Sequence, residues 1–173
     1  MGFVTPTVPS VGDQITAAQG AVIAGDLNSG PNMGAPVSTA SNGTATAGGA
    51  VEIRDAVLGN YTFTAVAGRR YRAVVDGLGA STTVAGDAVV LNIRNGGAST
   101  PTAASTAVAS AKAVLPASSS GLGIALAGTF VPGAGTVTLS LFTVRVAGTG
   151  MESPTSNTGV VNRELYVVDI GPA

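Results

Sequence analysis

The side chains that could do chemistry in this chain are few and of limited kinds. The 173-residue sequence contains nine Asp and Glu, eight Lys and Arg, and no His or Cys. Hydrolysis of a glycosidic bond is a chemistry these residues leave open, because it needs only two carboxylates. Thiolate catalysis, disulfides and metal sites built on imidazole or sulfur are excluded.

The acids do not form a recognisable catalytic pair in the sequence. Asp76 and Asp87 are the carboxylates on which a polymer-cleaving activity would be tested. Arg72 and Asp76 lie four residues apart in a predicted strand and therefore share a face, which favours a structural salt bridge. Lys112 has no serine-hydrolase motif around it and is expected to be solvated. We therefore predict a protein that is not an enzyme, with no catalytic residues, no metal and no cofactor.

Low charge content is the most unusual overall property of the chain. Charged residues make up 10% of the sequence and hydrophobic residues 45%, with a net charge of −1; an ordinary soluble chain has about 25% charged residues. Such a surface must be covered by small polar residues or hidden in contacts between subunits. The arginines are dispersed along the chain, so no nucleic-acid partner is expected. The composition favours an obligate assembly.

The longest charge-free run lies between Lys112 and Arg145 and contains 32 residues. Pro116, Pro132 and several glycines divide it into pieces shorter than the roughly 20 apolar residues of a membrane-spanning helix. Membrane insertion is therefore not expected. The piece from 135 to 147 alternates in side-chain character and predicts a long β-strand.

Residues 1–48 differ from the rest and are predicted to be an attachment segment. Prolines at positions 6 and 9 indicate an extended arm, and Asp13 can cap one short helix that ends near Gly25. Residues 29–49 have no periodicity and indicate a linker or an arm ordered by partners. One face of the predicted helix carries the residues expected to anchor the chain to a partner: Ile15, Ala18, Val22 and Ile23.

Residues 49–173 are predicted to form an all-β domain, an antiparallel jelly-roll-like β-sandwich of about eight strands. Turn signals such as Asn95-Gly96-Gly97 recur at intervals that suit this architecture. The segment 103–113 fits a helix equally well by propensity because it is rich in alanine. The predicted strands lie near 50–57, 60–66, 69–77, 86–94, 103–115, 123–131, 135–147 and 160–170.

Five phrases of the sequence form a set that carries a resemblance. They are FTAVAGRRYR at 63–72, VAGDAVVLNIRNGG at 84–97, GTFVPGAGTVTL at 128–139, RVAGTG at 145–150 and LYVVDIGPA at 165–173. With them, the chain resembles the β-sandwich modules in minor tail and fibre proteins of tailed bacteriophages that infect actinobacteria. The phrase VGDQITAAQ at 11–19 also looks like the N-terminal attachment segment of such proteins.

The resemblance implies a non-enzymatic virion structural protein, a minor tail, tail-tip or fibre component. Its expected partners are further copies of itself, in a homotrimer, and other virion proteins. A capsid-decorating role is one alternative, because a bare arm of about 48 residues precedes the module. A host surface glycan-binding adhesin is another, with a host cell-surface polymer as partner. A carboxylate-based depolymerase ranks third. The expected location is the virion, after synthesis in the host cytoplasm without a signal peptide.

Overall fold

The chain folds into β-structure throughout the part that the computed structural model describes, residues 33–43, 46–47, 51–116, 122–156 and 162–173. Within these residues there are thirteen strands and no helix, and every strand pair is antiparallel. The predicted all-β, antiparallel class is therefore confirmed. The strands are β1 Val37–Thr39, β2 Thr46–Ala47, β3 Ile53–Arg54, β4 Asn60–Ala65, β5 Arg69–Asp76, β6 Leu78–Thr82, β7 Ala88–Asn95, β8 Thr106–Val114, β9 Leu122–Gly123, β10 Leu126–Phe130, β11 Gly135–Ala147, β12 Met151–Ser156 and β13 Arg163–Pro172.

The strands are arranged in three sheets. The first has the order β1-β13-β5-β10, and the second has the order β3-β11-β7-β8, with β4 also paired to β11. The third, β2-β12-β6-β9, is built from short strands. Inward side chains of the first two sheets form one hydrophobic cluster, which is consistent with a β-sandwich.

Strict alternation along the strands produces this core. In β5, Tyr71, Ala73 and Val75 are buried, whereas Arg70, Arg72 and Asp76 on the other face are exposed. Successive side chains of a strand point to opposite faces, so one face becomes core and the other surface. Each buried large apolar side chain contributes about 1.5–3 kcal/mol relative to an exposed one.

Part of the charge-free run of the sequence, residues 135–144, lies in β11, whose predicted bounds are confirmed. Leu139 and Leu141 point into the core, but Ser140 and Phe142 on the opposite face are buried as well. The guanidinium of Arg94 lies over the Phe142 ring, 6.0 Å from its centroid. Residues 137–143 are buried on both faces of the strand, so a charge there could not be solvated.

Other predicted elements meet different outcomes. The alanine-rich segment forms strand β8, paired along its length with β7, rather than a helix. The strand predicted at 50–57 is wrong for most of its length, because only the two residues of β3 pair there. The sequence did not predict β6 or β12, and β12 contains Pro154. The predicted helix with Ile15, Ala18, Val22 and Ile23 lies outside the described residues.

The segment before residue 49 contributes two short strands to the body. Residues of β1 pair with the start of β13, and the Met33 N–H donates to the Val167 carbonyl at 3.0 Å. Residues of β2 pair with Met151 and Glu152 in β12. The chain N-terminal to the body is therefore held by backbone hydrogen bonds at two places.

Candidate functional site

Most charged side chains of the described residues are used inside the fold. Three ion pairs join described residues: Arg69 with Asp169 at 2.9 Å, Arg94 with Glu52 at 2.5 Å, and Arg163 with Asp55 at 3.0 Å. The first two pairs retain some exposure. The third has none, since both of its side chains are fully buried.

The buried ion pair of Asp55 and Arg163 ties four parts of the chain together. Asp55 follows β3, and its Oδ1 accepts hydrogen bonds from the N–H groups of Val57 and Leu58. Arg163 begins β13 and donates through Nη1 to the Pro154 carbonyl at 2.9 Å. Burial lowers the pKa of Arg163, and the charge of Asp55 opposes that shift. The pair is a structural lock, because no solvent reaches either group.

Gly43 packs directly on this lock. A side chain at position 43 would meet the Asp55 carboxylate, the Arg163 guanidinium and the Pro154 ring. The Gly43 N–H also donates to the Pro154 carbonyl at 2.7 Å. A glycine is therefore required where the segment before the body crosses the ion pair.

Asp87 lies in the second buried cluster and is hydrogen-bonded on both oxygens. Its Oδ2 accepts from the Thr82 hydroxyl at 2.5 Å and from the Gly150 N–H at 3.0 Å, and its Oδ1 accepts from the Thr149 N–H at 3.0 Å. The Thr82 hydrogen bond is the main cause of a pKa for Asp87 below its ordinary value; burial opposes it, and the two N–H groups and Arg145 add to it. Asp87 is therefore held as a carboxylate.

Glu152 is the second acid of this cluster, and unlike Asp87 it accepts no hydrogen bond from a described residue. Its residue pairs with Thr82 of β6 on one side and Thr46 of β2 on the other. It is fully buried, and no described residue donates a hydrogen bond to either carboxylate oxygen. Burial, and to a smaller extent the charge of Asp87, raises the pKa of Glu152 from 4.5 to about 7, whereas Arg145 and the backbone N–H of Glu152 itself oppose the shift. We call Thr82, Asp87, Arg145, Gly150 and Glu152 the carboxyl cluster.

Acid–base catalysis often uses two carboxyl groups, one with a raised pKa and one with a lowered pKa. Access argues against that use here, because Asp87 is 1% exposed and Glu152 is 0% exposed. The Arg145 guanidinium further closes the cluster by donating to the Gly150 carbonyl. The carboxyl cluster can hold or release a proton, but in this conformation it offers no carboxyl to a substrate.

Asp76, the other acid considered for catalysis, lies on the outer face of the first sheet. Arg72 shares that face, as the sequence predicted, but the two do not form one of the three ion pairs above. The Tyr166 hydroxyl instead donates to Asp76 Oδ2 at 2.5 Å, which raises the pKa of Tyr166 to about 12. Arg72 and Asp76 line an open groove of about 420 Å³ whose floor includes Val74 and Ala127.

Ten large apolar side chains are exposed among the described residues. Their exposed fractions run from 36% to 67%. They are Val51, Val57, Val66, Val84, Val114, Leu122, Val131, Val146, Met151 and Ile170. By contrast, the exposed charged residues in the same part of the chain number four: Arg70, Arg72, Asp76 and Lys112.

Sequence reasoning missed the carboxyl cluster and the partners in the three ion pairs. Arg163 pairs with Asp55, and Glu52 pairs with Arg94. Asp87 and Glu152 are far apart in the sequence, and their proximity depends on the pairing of β6 with β12. Neither strand carries an apolar periodicity that would have predicted this pairing.

Comparison with known proteins leaves the family open. A scan against models of protein families found no match, and a search of curated proteins found none either. Across the part of the chain that the structure describes, there is no helix with the length and apolar character needed to cross a membrane.

Proposed function

We propose that this chain is a non-enzymatic structural protein of a bacteriophage virion, a minor tail, tail-tip or fibre component that assembles as a homo-oligomer. The proposal joins the resemblance of its sequence phrases to phage tail modules with an all-β body suited to subunit contacts. The N-terminal arm, with Ile15, Ala18, Val22 and Ile23, anchors the body to a neighbouring virion protein. The same proposal includes a jelly-roll-like strand order for the sandwich and a helix in the arm.

The composition of the exposed surface is the observation that carries the proposal. Ten large apolar side chains but only four charged residues are exposed among the described residues. A surface with so few charges relies on small polar side chains for its solubility or is covered by other subunits, and the proposal takes the second course. Most other charges of the body are used in internal ion pairs and hydrogen bonds, so they contribute little to solubility. Subunit association removes this apolar area from water.

Quantitative mass spectrometry of purified particles tests the virion assignment. A handful to a few dozen copies per particle supports a tail-tip or fibre position. Hundreds of copies instead support capsid decoration, and absence of the protein from particles overturns the proposal. Light scattering coupled to gel filtration tests the oligomer: an assembly larger than one chain is expected, and a monomer at micromolar concentration contradicts it.

Deletion of residues 1–28 tests the anchoring role. The deleted chain is expected to remain a soluble, folded β-protein, because it keeps every strand that the structure describes, from β1 at Val37 onward. Its incorporation into particles is expected to be lost. Full copy number in particles carrying the deletion would show that the arm is not the anchor.

The groove beside Arg72 and Asp76 favours a second function, binding of a host surface polymer. It offers a guanidinium, a carboxylate and an apolar floor of Val74 and Ala127 within one open site of about 420 Å³. Such a combination suits a ligand with hydroxyls and apolar patches. Saturable binding of the full chain to purified host cell walls, weakened by R72A, supports this function. Equal binding by R72A, or no saturable binding, contradicts it.

A further inference from the structure

Glu152 occupies the position at which three strands of the third sheet meet. Its backbone pairs with Thr82 of β6 and with Thr46 of β2, so β12 holds both neighbours at this residue. Through β2 it also holds the chain that leads from the N-terminal segment into the body. A change in the charge of Glu152 is therefore placed to change how firmly that segment is held.

The described groups around Glu152 cannot satisfy its charged form. The acid whose charge acts on it, Asp87, is itself a buried carboxylate whose two oxygens accept three hydrogen bonds. Arg145, the cation that acts on both acids, directs a guanidinium nitrogen to the Gly150 carbonyl. No described donor reaches the Glu152 oxygens. A buried charge without a partner costs several kcal/mol, so such a group takes up a proton or moves to water.

We propose that the carboxyl cluster is a pH-operated latch, in which protonated Glu152 keeps β12 closed on β6 and β2, and loss of that proton loosens this sheet. The latch goes beyond the proposed structural role and does not depend on it. It acts on the local opening of β12 from β6 and β2, while Leu78 and Ala80 of β6 stay in the core.

The direction of the pH effect follows from the two protonation states. Open Glu152 titrates near its ordinary value of 4.5, and closed Glu152 titrates near 7. Between these values the closed state binds more protons than the open state, so rising pH favours opening by up to about tenfold per pH unit. The opening equilibrium should rise about 40-fold from pH 5 to pH 7 and level off above that. The chain has no histidine to obscure this window.

Hydrogen exchange of the full chain tests the latch. Protection factors, corrected for the intrinsic pH dependence of exchange, are measured at pH 5, 6, 7, 8 and 9 for peptides covering 78–84 and 146–156. The expected result is a fall of about 40-fold from pH 5 to 7, absent in E152Q, whose amide keeps the neutral form at all pH values. E164Q is the matched control, because Glu164 lies on β13 and accepts from Ser38; it should behave as wild type.

Two results would overturn the latch. One is unchanged protection of these peptides between pH 5 and 7 in the wild type. The other is an E152Q variant that keeps the wild-type fall, since another group would then be responsible. Carbon-13 NMR titration of the Glu152 carboxyl in the wild type gives an answer even if E152Q does not fold: a midpoint near 7 supports the latch, and one near 4.5 excludes it.

Discussion

The two buried charge clusters of this protein have nearly identical burial and opposite electrostatics. Asp55 and Arg163 are at most 1% exposed and carry opposite charges. Asp87 and Glu152 are equally buried and carry the same charge when both are ionised. In the first cluster the two opposite charges attract each other at 3.0 Å. In the second, hydrogen bonds fix the charge on Asp87, and Glu152 becomes the group that titrates.

The difference shows that burial alone does not decide what an acid does. Asp55, Asp87 and Glu152 are all buried, yet their carboxylates have different partners. Asp55 pairs with an arginine, Asp87 accepts from three donors, and no described residue donates to Glu152. The partner therefore determines whether a buried carboxyl forms an ion pair, accepts hydrogen bonds as a fixed carboxylate, or responds to pH. The following substitutions change the charges, the partners or the packing of these two clusters.

The largest effect is expected from R163M, which turns the opposite-charge cluster into a lone buried charge. Methionine keeps much of the side-chain volume but leaves Asp55 without its cation. Removing one member of a buried ion pair costs about 3–5 kcal/mol of unfolding free energy. Urea unfolding followed by circular dichroism measures the loss, and R70M on the exposed face of β5 serves as the control.

The double variant D55N/R163M sharpens this test. The asparagine introduced by D55N keeps an oxygen for the Val57 and Leu58 N–H groups and carries no charge. The double variant is therefore expected to be more stable than R163M alone. If R163M loses less than about 1 kcal/mol, the pair behaves as a surface ion pair and the lock is not supported.

The second effect is a gain in stability from E152Q, which removes one of the two like charges. Since the pKa of Glu152 rises from 4.5 unfolded to about 7 folded, the wild type loses stability as pH rises between these values. Glutamine does not titrate, so E152Q should be more stable than wild type at pH 8 by up to about 3 kcal/mol. Thermal unfolding at pH 4 and pH 8 measures the difference. If the stability difference between E152Q and wild type were no larger at pH 8 than at pH 4, the raised pKa of Glu152 would be contradicted.

A smaller effect is expected from crowding the carboxyl cluster through its backbone. Gly148 has φ of +97°, and a Cβ built there would overlap the Asp87 carboxylate. Gly59 has φ of +84°, but no atom lies within 4 Å of its Cβ position. G59A therefore reports backbone strain, and G148A reports strain together with crowding. Their stabilities should differ by about 1–3 kcal/mol, measured by thermal unfolding; equal losses would mean that Asp87 moves aside without cost.

The sequence predicts the long strands of this molecule better than its two buried charge clusters, for a physical reason. Alternation in β5 and β11 is a local signal, because the side chains of one strand reveal which face is buried. Glu152 lies beside Pro154 in a stretch that resembles a loop, so neither its strand nor its burial could be predicted. Its proximity to Asp87 depends on sheet topology, which pairs strands that are far apart in the chain. Arg72 and Asp76 show the intermediate case: their shared face was predictable, but Tyr166 as the partner of Asp76 was not.

The smallest effect is expected from T82V, which removes one of three donors to Asp87 and leaves the two backbone N–H groups. Because the Thr82 hydroxyl holds the pKa of Asp87 down, this carboxylate stabilises the fold above its unfolded pKa of 3.8 and loses that contribution as pH falls through its folded pKa. T82V raises the folded pKa, so the variant should be less stable at pH 7, and acid unfolding should begin at a higher pH. Acid titration followed by circular dichroism measures this shift, with exposed Thr64→Val in β4 as the control. If T82V unfolded at the same pH as the wild type, the two backbone N–H groups alone would hold Asp87 in its charged form. The side-chain partner of Asp87 would then not explain the difference between the two clusters.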